Sequence, residues 1–157
     1  MKTIEAYEKD IFNQLKFLDT FYPQKPLSKS QQKNVIFSGT GDSFVSAILS
    51  EVFSNYQVRS ADPLDLLKNK IIAKNKTLYF VSVSGNTISN IKAAKIPKKS
   101  VAITSKPQSR LAKACDDTII MNSITSDVFT AGSITFLESA LTCISLVTLI
   151  SIQKNPQ

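Results

Sequence analysis

Histidine and tryptophan are absent from this 157-residue chain, and cysteine occurs only at Cys115 and Cys143. Without histidine the usual proton shuttle and metal ligand of neutral pH is missing. Two separated cysteines do not assemble a zinc site, so no metal or other cofactor is expected. Each cysteine lies in an apolar helical context and reads as a buried, unbridged thiol. Glycine and proline are sparse, at 4 and 6, and no low-complexity tract or repeat array is present. The longest apolar run, Ala140 to Ile152, is interrupted by Thr142, Ser145, Thr148 and Ser151. It falls short of the roughly 20 apolar residues that a bilayer requires, so no membrane span is expected. Met1 to Glu5 leads into an acidic, amphipathic stretch rather than an apolar signal core, and a cytoplasmic location is the expectation.

What is present is ordinary for a folded domain: 43% hydrophobic and 20% charged residues, in a length suited to one core. Lys and Arg number 19 against 12 Asp and Glu, a net charge of +7. The lysines cluster at Lys68, Lys70, Lys74 and Lys76, then at Lys92, Lys95, Lys98 and Lys99. Solvated helix ends account for such clusters, and so does attraction of a phosphorylated small molecule. No basic stripe is interleaved with aromatics, so nucleic acid is not an expected partner.

The sparse glycines are placed informatively. Asn34-Val35-Ile36-Phe37-Ser38-Gly39-Thr40-Gly41-Asp42-Ser43 and Leu78-Tyr79-Phe80-Val81-Ser82-Val83-Ser84-Gly85-Asn86-Thr87 both read as strand, glycine turn and helix start. Glycine lets backbone approach a ligand closely, while hydroxyls and the free amides of a helix start face outward. That combination seats an anion, phosphate above all. Helix capping by the same serines and threonine is the competing reading.

Around these turns the pattern alternates. Residues 3 to 20 read as a helix, with Ile4, Tyr7, Ile11, Leu15 and Leu18 recurring every three to four positions. Pro23 and Pro26 break the chain before a strand at 34–38. A helix follows from Asp42 to Ser54, an edge strand from Tyr56 to Arg59, and a short helix after Asp62-Pro63, an N-cap with proline at the first helical position. Strands at 77–83, 100–104 and 118–121 then alternate with helices at 87–95 and 109–114. A long last helix is expected from Phe129 to Gln153. Such alternation predicts a three-layer α/β/α fold with a five-stranded parallel sheet. Ligands bind such sheets at the carboxyl ends of the strands, where both glycine turns fall. The last helix is apolar nearly all round, which calls for cover on every side and predicts a homodimer or homotetramer contact there.

The two turns resemble the two signatures of the sugar isomerase (SIS) domain, and Ala102-Ile103-Thr104-Ser105 with Leu111 to Asp117 resembles its fourth strand, helix and acidic turn. The resemblance runs from about residue 34 to the C-terminus, in one domain of 1–157 whose first 30 residues are helix and linker. It is closest to one half of the archaeal phosphoglucose/phosphomannose isomerases, whose second motif also reads Ser-Gly-Asn-Thr. It implies a flavodoxin-like topology and a sugar-phosphate partner. Carried over by position, Ser43, Ser82, Ser84, Asn86 and Thr87 hold the phosphate, and Gly39, Gly41 and Gly85 keep the turns tight. A dinucleotide loop fits less well, because Phe44 stands where that fingerprint has its third glycine.

Aldose–ketose isomerisation needs a carboxylate base, a group to steady the enediolate oxygen, and an acid/base for ring opening. The resemblance implies a glutamate and a histidine in those roles. Here no histidine exists, an identical partner subunit supplies none, and Ser89 stands where many members carry the glutamate. Glu138, the only acid in the last helix, is the candidate base, with a helix-face charge or an interface partner as the alternative. Arg110 stands near where the resemblance implies an enediolate-steadying arginine after the fourth strand and is the candidate for that role, against a solvated loop charge. A sugar-phosphate isomerase and a non-catalytic phosphosugar sensor or subunit partner both remain open.

Overall fold

Runs of β-branched and aromatic residues set the strands. The computed structural model describes residues 3–121 and 133–152. Within them, β1 (Val35–Ser38), β2 (Arg59–Ala61), β3 (Thr77–Val81), β4 (Lys99–Thr104) and β5 (Asp117–Ile120) form one sheet in the order β2-β1-β3-β4-β5. Every pairing is parallel, with Ile36 opposite Leu78, Leu78 opposite Ser100, and Val101 opposite Asp117. This is the expected five-stranded, flavodoxin-like sheet. The chain steps from β1 outward to β2, then returns to place β3 on the other side of β1. The switch in winding therefore falls between β1 and β3, the two strands that lead into the glycine turns.

Both sheet faces are covered, as an all-parallel sheet requires. On one face Val35, Phe37, Tyr79, Val81, Val101 and Ile103 meet Ala47 of α3 (Asp42–Phe53) and Cys143, Leu146 and Val147 of the last helix and its end. Phe37 and Tyr79 stack at 5.0 Å between ring centroids. On the other face Ile36, Leu78, Phe80 and Ala102 meet α4 (Pro63–Lys68) through Leu66, α5 (Ile88–Ala93) through Ala93, and α6 (Arg110–Ala114) through Leu111. A 3-10 turn, Lys70–Ile72, follows α4. Burial pushes the Cys143 thiol up to about 12, against a hydrogen bond with Ser50. Burial pushes Cys115 up to about 11. Neither is a nucleophile near neutral pH.

Several expected elements shift. The edge strand begins at Arg59 rather than Tyr56. Asn55 and Tyr56 adopt left-handed backbone angles (φ 54° and 60°), and the Tyr56 amide closes the end of α3 on the Glu51 carbonyl at 2.8 Å. Glu51 then holds β2 through the Ser60 amide (2.8 Å) and the Arg59 guanidinium (3.3 Å). A short helix not read from sequence, α2 (Lys29–Gln32), starts on a capping box between Ser28 and Gln31.

The last helix, α7 (Ser133–Ser145), ends eight residues before the expected Gln153, which itself lies outside the described residues together with 129–132. Just past its end the backbone is tied to long-range partners: Leu146 O accepts from the Leu27 amide (2.9 Å), and Val147 O from the Gln32 side chain (3.0 Å). From Ile134 to Val147 every residue is buried or half-buried within the chain itself. The cover comes from α3 on one side and α1 (Thr3–Thr20) on another. A subunit contact is thus not required to shield this helix.

Helix α1 forms over the expected residues with the opposite orientation. Its apolar stripe faces outward, with Ile4 73% and Leu15 67% exposed, while Ala6, Asp10, Asn13 and Phe17 face inward. Helix α3 follows the same pattern: Ser46, Ala47 and Ser50 point in, and Val45, Ile48, Val52 and Phe53 point out. Small inward residues let α3 and α7 approach closely and leave the larger apolar groups on the surface. Among the described residues no helix is long and apolar enough to cross a membrane.

Candidate functional site

The first glycine turn leaves β1 at Ser38 and enters α3 through Gly41, its N-cap. At Gly39 a Cβ atom would lie 2.6 Å from the Ser43 carbonyl oxygen. That neighbour is backbone and has no side-chain freedom with which to yield. Gly41 has φ +57° and makes no side-chain cap. Its carbonyl takes the Phe44 and Val45 amides at 2.9 and 3.2 Å. Ser43 is half-buried in the first turn of α3.

The second turn leaves the adjacent strand β3. Ser38 and Phe80 pair across β1 and β3, so Gly39 and Ser82 emerge from neighbouring strands about 4.8 Å apart. Ser82 is buried and its amide donates to the Ile103 carbonyl at 3.0 Å, continuing the ladder with β4. Its hydroxyl lies 3.0 Å from that of Thr87. Thr87 is the N-cap of α5 and makes no side-chain cap bond. The capping alternative therefore does not hold for this threonine, whose oxygen faces across the turn. Ser84 Oγ accepts the Asn86 amide at 3.3 Å, and both side chains are exposed. From α5, the buried Asn90 side chain donates to the Val81 carbonyl at 3.0 Å and fixes the helix to the end of β3.

A third segment, after β4, folds over the second turn. The Ser105 amide and the Thr104 hydroxyl both donate to Val83 O at 3.1 Å, and the Leu111 amide donates to Gly85 O at 2.9 Å. Gly85 has φ +63°, and a Cβ there would run into the Ser109 side chain. Glycine thus serves both the turn and the close seating of residues 105–110. Between them lies an open groove of about 480 Å³, lined by Ser84, Asn86, Lys106, Pro107, Gln108, Ser109 and Arg110. Ser109 caps α6 through the Ala112 amide at 3.2 Å.

The predicted residues thus separate into groups. Gly39, Gly41 and Ser43 belong to the first turn, and Ser82, Ser84, Gly85, Asn86 and Thr87 to the second, side by side at the carboxyl edge of the sheet. Arg110 joins Ser84 and Asn86 in the groove; Ser82, Thr87 and the first turn do not line it. Glu138 lies in α7, only 2% exposed, on the sheet face opposite α6. Helix α7 packs alongside α3. The bonds from Leu27 and Gln32 put the end of α7 at the amino edge of the sheet. Glu138 lies five residues, about 7.5 Å of helix, before Cys143. Lys106 was not singled out from sequence; its one signal was a place in the loop that ends at Arg110.

No family model matches the sequence, and no curated protein does so either. Solved structures do match in fold. An E. coli CFT073 protein in complex with arabinose-5-phosphate superposes with a TM-score of 0.64 at 18% identity, over 90% of this chain and 89% of that one. Glucosamine-6-phosphate deaminase from Thermotoga maritima gives 0.67 at 20% identity, over 91% of this chain and 48% of that one. The C-terminal domain of glucosamine-fructose-6-phosphate aminotransferase from Francisella tularensis gives 0.65 at 13%, over 92% and 46%. This chain thus spans nearly all of the first and about half of the other two. The fold expected from the SIS resemblance is the fold of these structures.

Proposed function

We propose that this protein binds a sugar phosphate at the carboxyl edge of its sheet, the phosphate held by the two glycine turns. The observation that carries the reading is the Ser82–Thr87 hydroxyl pair, 3.0 Å apart at the switch point and not used for helix capping. Two hydroxyls at that separation suit adjacent oxygens of one phosphomonoester, with the amides of the turn beside them. Support also comes from the arabinose-5-phosphate bound to the E. coli structure and from the phosphosugars in the names of the other two. The described residues act as one such domain, α1 included, since it packs on α7. On this reading the protein works in the cytoplasm as a homodimer or homotetramer; the expected contact was the last helix, and the outward apolar residues of α1 and α3 support a contact beside it.

The catalytic extension of this reading is aldose–ketose isomerisation, with Glu138 moving the proton between adjacent carbons and Arg110 steadying the enediolate oxygen. Ring opening without histidine falls to water or a lysine, and an open-chain ketose phosphate bypasses it. The non-catalytic alternative is favoured by two observations: no histidine occurs, and Arg110 and Glu138 lie on opposite faces of the sheet. A thermal-shift screen of pentose and hexose phosphates tests the binding, followed by NMR turnover assays on each hit. Sugar phosphates should raise the melting temperature where the unphosphorylated sugars do not. Absence of stabilisation by any of them sinks the reading.

A further inference from the structure

The groove beside the second turn is electrostatically one-sided. Lys106 and Arg110 line it, and among the described residues its remaining lining is neutral and includes no carboxylate. Ion pairs elsewhere join Arg59 to Glu51 and Lys99 to Asp117; among the described residues neither Lys106 nor Arg110 is in one. The segment that carries these two cations is held in place by backbone bonds from Ser105 to Val83 and from Leu111 to Gly85, and by the seat of Ser109 over Gly85. Placing two like charges in one firmly braced groove without a counter-charge costs self-repulsion, which an anionic ligand removes.

A phosphate seated on the Ser82–Thr87 hydroxyl pair leaves the two cations to the rest of the ligand. That pair lies outside the groove, whereas Ser84 and Asn86 from the same turn line it. A ligand anchored at the hydroxyl pair and extending past the tip of the turn brings its far end against Lys106 and Arg110. The hydroxyls of a neutral sugar are served by amides, carboxylates and water and need no pair of cations. A carboxylate at that end suits the fork of a guanidinium together with an ammonium.

We infer that the ligand carries a second acidic group, so that its class is a phosphorylated sugar acid, with Lys106 and Arg110 selecting the carboxylate end. This rests on the sugar-phosphate reading above and narrows it.

The test compares two six-carbon ligands that differ at one terminus: gluconate 6-phosphate, with a carboxylate, and glucitol 6-phosphate, with a hydroxymethyl group. Titration calorimetry on the intact protein should show gluconate 6-phosphate binding at least about tenfold tighter, a modest return for one charge-assisted contact. In Lys106→Met, and more so in Lys106→Met with Arg110→Met, that ratio should fall toward one. Both side chains are exposed, and circular dichroism melting shows whether each variant remains folded. Equal affinities in the wild-type protein overturn the inference while leaving sugar-phosphate binding intact. A ratio that survives the double substitution overturns it as well, since the cations then serve the phosphate or nothing. If neither compound binds, nor any other sugar phosphate, the broader reading fails and this one with it.

Discussion

Thr87 opens helix α5 as its N-cap, yet its hydroxyl lies 3.0 Å from the hydroxyl of Ser82 rather than on an amide of its own helix. An N-cap threonine that gives up its capping bond forgoes about 1 kcal/mol of helix stability. The arrangement is understandable where the oxygen serves a ligand.

The first prediction follows from that pair. Ser82→Ala together with Thr87→Ala should abolish the thermal stabilisation by sugar phosphates. In the wild-type protein that stabilisation should reach about 2.7 kcal/mol with ligand a hundredfold above its dissociation constant. Because Thr87 does not cap α5, the unliganded variant should unfold at nearly the wild-type urea concentration. Stabilisation that persists in the double variant excludes these hydroxyls as phosphate ligands.

The two positive-φ glycines should differ in their response to alanine. At Gly41 (φ +57°) an added Cβ meets nothing within 4 Å, so Gly41→Ala should cost only backbone strain, about 1–3 kcal/mol. At Gly85 the same strain is joined by collision with Ser109 and close approach to Thr104 Oγ1 at 2.9 Å. Gly85→Ala should therefore be the more destabilising in urea denaturation, and should displace residues 105–110. Equal costs would mean that the loop is not seated on the turn.

Glu138→Gln separates catalysis from binding. If Glu138 is the base, turnover should fall by roughly 10²–10⁴-fold while the dissociation constant for the sugar phosphate stays within a small factor. Turnover unchanged in the variant removes Glu138 from the chemistry. A wild-type protein that binds sugar phosphates and turns none over leaves the sensor reading.

Acid should weaken the fold through two clasps. Burial opposes ionisation of Glu51, but hydrogen bonds from the Ser60 side chain and amide, with Arg59, outweigh it and hold the carboxyl below its ordinary 4.5. Hydrogen bonds from the Ser100 amide and hydroxyl likewise hold Asp116 below 3.8. A depressed folded-state value means that the unfolded chain binds protons first as pH falls. The contribution is thus full above the ordinary values and is lost as pH drops through the lower, folded ones. Urea midpoints measured from pH 7 to pH 3 should show that fall, and Glu51→Gln with Asp116→Asn should flatten it. An identical slope in the double variant would assign acid sensitivity to other groups.

The strands and both glycine turns were legible because they rest on local chemistry. A short apolar run followed by Gly-x-Gly or Ser-Gly-Asn-Thr reads the same in any context. Strand alternation with helices then implies the parallel sheet, and Asp62 with Pro63 marks the start of α4 without help from packing. The α1 stripe of Ile4, Ile11 and Leu15 was equally legible as a helix, yet its direction was not, since periodicity says that two faces differ and not which one is inside. The end of α7 was illegible for a related reason: Leu27 and Gln32, distant in sequence, bond the Leu146 and Val147 carbonyls just past it.

The amino-acid order alone determined that two glycine-containing, hydroxyl-bearing turns follow strands, because glycine conformation and helix-start polarity act within a few residues. Only the folded sheet decided that β1 and β3 are neighbours, that the Lys106–Arg110 segment lies on the second turn, and that Arg110 and Glu138 take opposite faces. Those relations depend on strand order and on backbone bonds between residues far apart in the chain, which no local pattern encodes.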